Sequence, residues 1–187
     1  MTALPLPKMT LAEFMAWENE QPDRHEFYRG ETFAMVGGTA RHNSVIVNLV
    51  SLIHNHLRGT PCRVFTDGMK VQLAEAVLYP DVMVACGRTK TGDELAIRDP
   101  KLVIEVLSPS TEGYDKRDKF KLYRTLVSLR EYVLIEPAKR EVDVFTLGDA
   151  GAWTFRDLTG ADALRLESID CLLPMAEVFE DVESDAA

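Results

Sequence analysis

A mixed α/β or α+β domain is the architecture expected of this chain, on three grounds. Amphipathic helical stretches fall at 10–20, 39–57 and 112–126; short β-prone runs fill the centre; and no repeat, Gly/Ser linker or low-complexity stretch divides the whole. At 187 residues there is length for one ordinary core, so 1–187 is expected to form one domain, with about 1–9 and 182–187 flexible.

Thr10-Leu11-Ala12-Glu13 has the form of a capping box, and Leu11, Phe14, Met15 and Trp17 follow at roughly helical spacing, so the first helix runs over 10–20 and stops at Pro22. Residues 25–29 and 31–36 flank Arg29-Gly30 and predict a hairpin, which Gly37-Gly38 breaks. Val45, Ile46, Leu49, Leu52, Ile53 and Leu57 form an i, i+3/i+4 stripe, a long helix over 39–57 ended by Gly59 and Pro61. Short strands follow at 63–66, 69–73, 80–86 and 102–107, separated by Asp-Gly and Pro signals. After Pro109 a charged amphipathic helix is predicted from about 112 to 126. Strands at 132–135 and 142–147 surround a turn at 137–140, 153–156 and 163–167 add edge strands, and 174–181 makes a short terminal helix.

With 46% hydrophobic and 27% charged residues, the composition is that of a globular protein rather than a disordered chain, collagen or coiled coil. No apolar run nears the ~20 residues of a bilayer span, so no membrane partner is expected. Residues 1–9 lack the apolar core of a secretory signal. Cys62, Cys86 and Cys171 lie far apart with no CxxC pair, which argues against a disulfide framework or a cysteine-rich zinc site and for a reducing cytoplasm. A net charge of −9 argues against a polyanion clamp until its distribution is considered. Residues 161–187 hold eight acids against Arg165 alone, net −7, whereas 115–140 hold eight bases against four acids, net +4.

Glu105 interrupts the apolar run Leu102-Val103-Ile104-Glu105-Val106-Leu107, the pattern of a strand buried on both faces. An ionised carboxylate there needs a partner base, a raised pKa or a metal ion. Pro80-Asp81-Val82-Met83-Val84-Ala85 places a second acid at the entry of another apolar strand. Two acids on neighbouring strands can converge on a hard cation such as Mg2+, which takes one or two carboxylates and keeps several waters. Asp115, Lys119 and Tyr123, at i, i+4 and i+8, line one face of the helix that follows. An ammonium group there can orient water and offset charge developing on a phosphate. Asp81 and Glu105 as metal ligands, with Lys119 assisting, are thus sufficient in kind for metal-assisted phosphodiester hydrolysis. Lys116, Arg117, Lys121 and Arg124 supply a phosphate-facing run beside them.

Pro80-Asp81 with Glu105 some twenty residues on resembles the PD-(D/E)XK nuclease superfamily. More closely, PDVMVA … KLVIEVLSPSTEGYDKRDKFKLYRTLVSLREYVLIEP, with Gly30-Glu31 and the downstream His42, is similar to the Uma-two family of restriction-endonuclease-like proteins over roughly residues 10–180. The resemblance implies a restriction-endonuclease-like mixed central sheet flanked by helices, with extra β-hairpins. It also implies a Mg2+-dependent site (Mn2+ as a substitute), DNA as substrate and a homodimer. The superfamily pattern has lysine two residues after the second acid, where this chain has Leu107. The family's own pattern puts a lysine on the following helix, at Lys119, with Lys116 and Lys121 as alternatives. An acid on an early element often completes the metal site in the superfamily; Glu31 or Glu26 can serve, with His42 at the edge of the same cleft.

The remaining signals are structural. His54-Asn55-His56 are helix-end residues, His25-Glu26 is not HExxH because position 29 is arginine, Ser108-Pro109-Ser110-Thr111 is a capping loop, and Gly37-Gly38 is too short for a phosphate loop. The expected activity is Mg2+-dependent endonucleolytic cleavage of DNA. Two alternatives use the same residues: a nucleic-acid-binding or interaction module of weak or no activity, kept open by Leu107, and a metal-dependent phosphohydrolase of small substrates, permitted by the modest basic area.

Overall fold

The capping box closes as its residues demand: Glu13 N–H donates to the Thr10 hydroxyl at 3.2 Å, and the Glu13 carboxylate accepts the Thr10 N–H at 2.7 Å, starting α1 (Leu11–Glu18). β1 (His25–Tyr28) and β2 (Glu31–Ala34) form the hairpin, turned by Arg29 and Gly30, both at positive φ. Thr39 caps α2 (Ala40–His56). Then come β3 (Cys62–Thr66), β4 (Lys70–Gln72), β5 (Ala76–Leu78), β6 (Val82–Cys86), β7 (Ala96–Ile97) and β8 (Pro100–Val106). A one-turn helix α3 (Phe120–Tyr123) leads to β9 (Glu131–Glu136), β10 (Glu141–Leu147), β11 (Trp153–Asp157), β12 (Ala163–Leu166), β13 (Cys171–Pro174) and α4 (Met175–Val178). The computed structural model describes residues 7–35, 37–66, 68–87, 94–108 and 119–184.

The larger sheet has the order β11-β10-β9-β8-β6-β3, and the smaller β2-β1-β5-β4-β7. Period-two alternation decides what each face meets. Leu102, Ile104 and Val106 of β8 pack with Leu49 and Ile53 of α2 and with Leu164 and Val178 from the C-terminal ribbon and helix. Val103 and Leu107 face the other way, against Val71 and Leu78 of the smaller sheet and Tyr123 of α3. Glu105 shares their side, so the acid sits between the two sheets. Within the larger sheet β8 and β9 are parallel, and the ladders on either side of them are antiparallel. A parallel neighbour requires a crossover over one face of the sheet. That crossover carries Lys119 and Tyr123 back over Glu105. This is the mixed α+β architecture expected of the chain.

Several expectations need correcting. Of the helix predicted over 112–126, residues 112–118 lie outside the described ones; from Lys119, already helical, the helix runs to Tyr123 and gives way to turns, so it ends three residues early. β5, β7 and β13, two to four residues each, were not anticipated. The terminal helix is Met175–Val178, half the length predicted. At the described ends, Met9 N–H donates to Gly30 O, Val182 is buried, and Arg140 donates to Val182 O at 2.9 Å. No described helix is long and apolar enough to cross a membrane.

The cysteine reading also changes. Cys62 and Cys86, 24 residues apart, face each other in the β3–β6 ladder and form a disulfide, a pairing that only the strand register creates. Cys171 is free and buried, and burial pushes its thiol up to about 11. Native protein is therefore expected to take up no iodoacetamide at Cys171 at pH 8, and to become labelled there only on unfolding, as peptide mass mapping would show.

Candidate active site

Asp81 precedes β6, and continuing the β6–β8 register (Val82 opposite Ile104, Met83 opposite Val103) sets it across from Glu105. Its Oδ2 accepts the Val106 N–H at 2.7 Å, which fastens the aspartate to the strand carrying the second acid. Its Oδ1 lies 3.3 Å from His42 Nε2 in the first turn of α2, and both side chains are 16% exposed. A Cβ on Gly38 would collide with the His42 ring, so this glycine, which looked like part of a mere break, makes room for the histidine. Gly38→Ala is expected to shift the His42 ring resonances as far as Asp81→Ala does while leaving the unfolding midpoint nearly unchanged, a comparison open to NMR and calorimetry.

Glu105 is 2% exposed. Its Oε1 accepts the Tyr123 hydroxyl at 3.1 Å and lies 3.4 Å from Lys119 Nζ. Burial, then the charge of Glu105, hold the Tyr123 phenol well above its usual pKa, so it stays a donor. The same ammonium is 3.0 Å from Oε1 of Glu26, which also accepts the Tyr79 N–H at 3.1 Å. A second buried set braces this one. Glu18 accepts the Tyr79 hydroxyl at 2.8 Å and the His25 N–H at 2.9 Å, with His25 Nδ1 3.0 Å from its other oxygen. Glu131 offers a contrast. It is also a fully buried strand carboxylate, but it accepts the N–H groups of Glu167 and Ser168 and ties down the 3-10 turn there, a structural task. Glu105 differs in meeting an ammonium and a phenol between the two sheets, next to the Val106 N–H that Asp81 accepts.

The structure thus brings Glu105 together with Lys119 and Tyr123, and Asp81 together with His42, the two sets joined through the Val106 N–H that Asp81 accepts. It does not bring Glu31 there, which lies beside the turn of the hairpin, half exposed and 3.6 Å from Lys8 Nζ. Glu26, opposite Phe33 and buried, takes the early-acid position instead. Glu26 was visible as an alternative, but the hairpin's facing was not. Lys121 and Arg124 are exposed on and just after α3. Asp115, Lys116 and Arg117 lie outside the described residues. A cleft of about 650 Å³ opens at His42, walled by Arg41 and Ser44 of α2, Leu107, Glu136 at the end of β9, and Asp181 and Glu183; Asp81 and Glu105 do not line it.

Among the described residues no three carboxylate, imidazole or thiol groups converge into a complete metal cage. Two carboxylates on adjacent strands nonetheless match what Mg2+ takes from a protein, with water completing its octahedron. The donors are all hard oxygens, and Asp81 is the more exposed of the two.

Residues 11–173 match the model of the Uma2 family, described as "Putative restriction endonuclease". Two Synechocystis proteins are similar: uncharacterized protein slr1290, 37% identical over 88% of each chain, and uncharacterized protein sll1609, 33% identical over 83% of this chain and 90% of that one. Among solved structures, a putative nuclease of DUF820 from Anabaena variabilis superimposes with a TM-score of 0.71 at 17% identity, covering 91% of this chain and 97% of its own, so the two share a fold. With a match that spans the hairpin, both acid-bearing strands and the crossover lysine, the chain belongs to the Uma2 family.

Proposed function

We propose that this protein is a Mg2+-dependent endonuclease that hydrolyses DNA phosphodiester bonds, acting in the cytoplasm as a homodimer. The observation that supports it most is the pairing of Asp81 with Glu105 across β6 and β8, under a lysine returned by the β8–β9 crossover. The family description and the named nuclease of the same fold point the same way. In a cytoplasmic setting the Cys62–Cys86 pair would be mostly reduced.

Asp81 and Glu105 would hold the cation, which when bound supplies Lewis-acid charge to the scissile phosphate. Val106 N–H and His42 fix Asp81, and Tyr123 fixes Glu105, so both carboxylates are oriented before substrate arrives. Lys119 holds an ammonium at Glu105, placed to donate to the attacking water or a phosphate oxygen. Because the basic area is small, DNA binding should be weak and steeply salt-dependent, or pooled across two subunits.

Purified protein should nick or linearise supercoiled plasmid in Mg2+ or Mn2+, chelator should stop it, and Asp81→Ala should abolish it with the fold intact. Undiminished cleavage by Asp81→Ala overturns the assignment. One observation favours a second reading, a binding module on the same fold. Leu107 stands where the superfamily has lysine and is 3% exposed within an apolar cluster, so no charge is available from that position. Calorimetry separates the two, since a binding module would hold DNA without taking up Mn2+.

A further inference from the structure

We infer that Glu26 is a positioning residue of this site: it holds the Lys119 ammonium in place over Glu105 and is not itself a ligand of the cation. The inference rests on the nuclease reading and assigns the early acid a different task from metal binding.

Geometry carries it. Glu26 Oε1 takes two donors, the Lys119 ammonium at 3.0 Å and the Tyr79 N–H at 3.1 Å, and the residue is 2% exposed. An oxygen on which an ammonium and an amide already converge is a poor place for a dication, which the ammonium would repel. Nor do Glu26, Asp81 and Glu105 converge into a three-carboxylate cage. The contact from Lys119 to Glu26 is shorter than its 3.4 Å contact to Glu105. Were Glu105 the nearer partner, the ammonium would neutralise the carboxylate that the cation needs; drawn toward Glu26, it stays adjacent to Glu105 without displacing metal from it.

Tyr79 explains how the position is referenced. It lies two residues before Asp81, and its own hydroxyl is anchored on buried Glu18. Glu26 therefore ties the lysine of the crossover to the backbone segment that delivers Asp81. The elements that must agree in space, β1, the segment before β6 and the start of α3, meet at one carboxylate oxygen. This also accounts for a lysine that works from the crossover rather than from the β8 strand itself.

The test uses Glu26→Gln, Glu26→Asp, Lys119→Met and the Glu26→Gln/Lys119→Met double variant, with plasmid cleavage, Mn2+ calorimetry and metal-free thermal unfolding. Glu26→Gln is expected to lower kcat at least tenfold with KM within threefold, and Glu26→Asp to recover part of the loss. The double variant is expected to cleave no more slowly than Lys119→Met and to bind Mn2+ within threefold of wild type. Without metal, it should melt closer to wild type than Lys119→Met does, because both members of the buried pair have lost their charge. A more than tenfold loss of Mn2+ affinity in the double variant makes Glu26 a ligand and overturns the inference. So does wild-type cleavage by Glu26→Gln, or multiplicative effects of the two substitutions. Wild-type protein that binds Mn2+ through Asp81 and Glu105 but cleaves no nucleic acid overturns the nuclease reading, and the kinetic role of Glu26 with it.

Discussion

Lys119→Met is expected to lower folding stability by about 3–5 kcal/mol, the usual penalty for removing one partner from a buried ion pair. The ammonium is 7% exposed and is shared by Glu26 and Glu105, each 2% exposed. Without it, two carboxylates remain between the sheets facing each other's charge, with little water to solvate either. Urea unfolding at neutral pH measures the loss, and an unchanged midpoint would remove Lys119 from the buried network altogether. Excess Mn2+ should return part of the stability in the variant, because a cation that binds only the folded state stabilises it by mass action. That recovery should vanish when Asp81→Ala is added. Cleavage by the variant must be measured well below its own unfolding midpoint, so that lost chemistry is not confused with lost protein.

What the sequence made legible was what breaks a pattern. Glu105 is conspicuous because five apolar neighbours surround it, and Asp81 because it opens another such run; each offends the burial rule of its strand, and the β6–β8 register, continued by one residue, sets them opposite each other. Lys119 and Tyr123 were legible from their i, i+4 spacing, and both reach Glu105. The described part of that helix ends at Tyr123, three residues before the predicted end. Amphipathic spacing reported which side chains share a direction rather than where the helix stops.

The parts that stayed hidden depend on pairings between distant segments. Glu26 and Glu31 are both acids in one hairpin, and only the register, with Glu26 opposite Phe33 and Glu31 opposite Tyr28 beside the turn, decides which is buried. The disulfide has the same origin, since Cys62 meets Cys86 only because β3 and β6 pair antiparallel. β7 is two residues long and has no period to detect, yet it completes the smaller sheet beside β4. Gly38 looked like punctuation because the ring it accommodates, His42, lies across a helix start whose geometry local sequence does not specify.

Glu105→Gln should act in the opposite sense on stability and the same sense on function. Glutamine keeps the shape of the side chain and an oxygen for the Tyr123 hydroxyl, and leaves Lys119 with Glu26 at 3.0 Å. It removes one of two like charges that share an ammonium between the sheets, so unfolding stability should stay level or rise. Cleavage should fall by roughly 10^2–10^3-fold or more, the scale of losing one preorganised charge-stabilising group from an active site, and Mn2+ affinity should fall with it. Differential scanning calorimetry, Mn2+ titration and single-turnover cleavage measure the three quantities. If Glu105 served only as a structural counter-ion, the substitution would destabilise the protein and any change in cleavage would track that loss. A variant that is as stable as wild type, or more so, yet inactive and poor at binding metal identifies a carboxylate kept at the expense of stability for the cation it holds. Together with Lys119→Met, destabilised and inactive, it separates a site built to hold a cation from an ion pair that merely holds two sheets together.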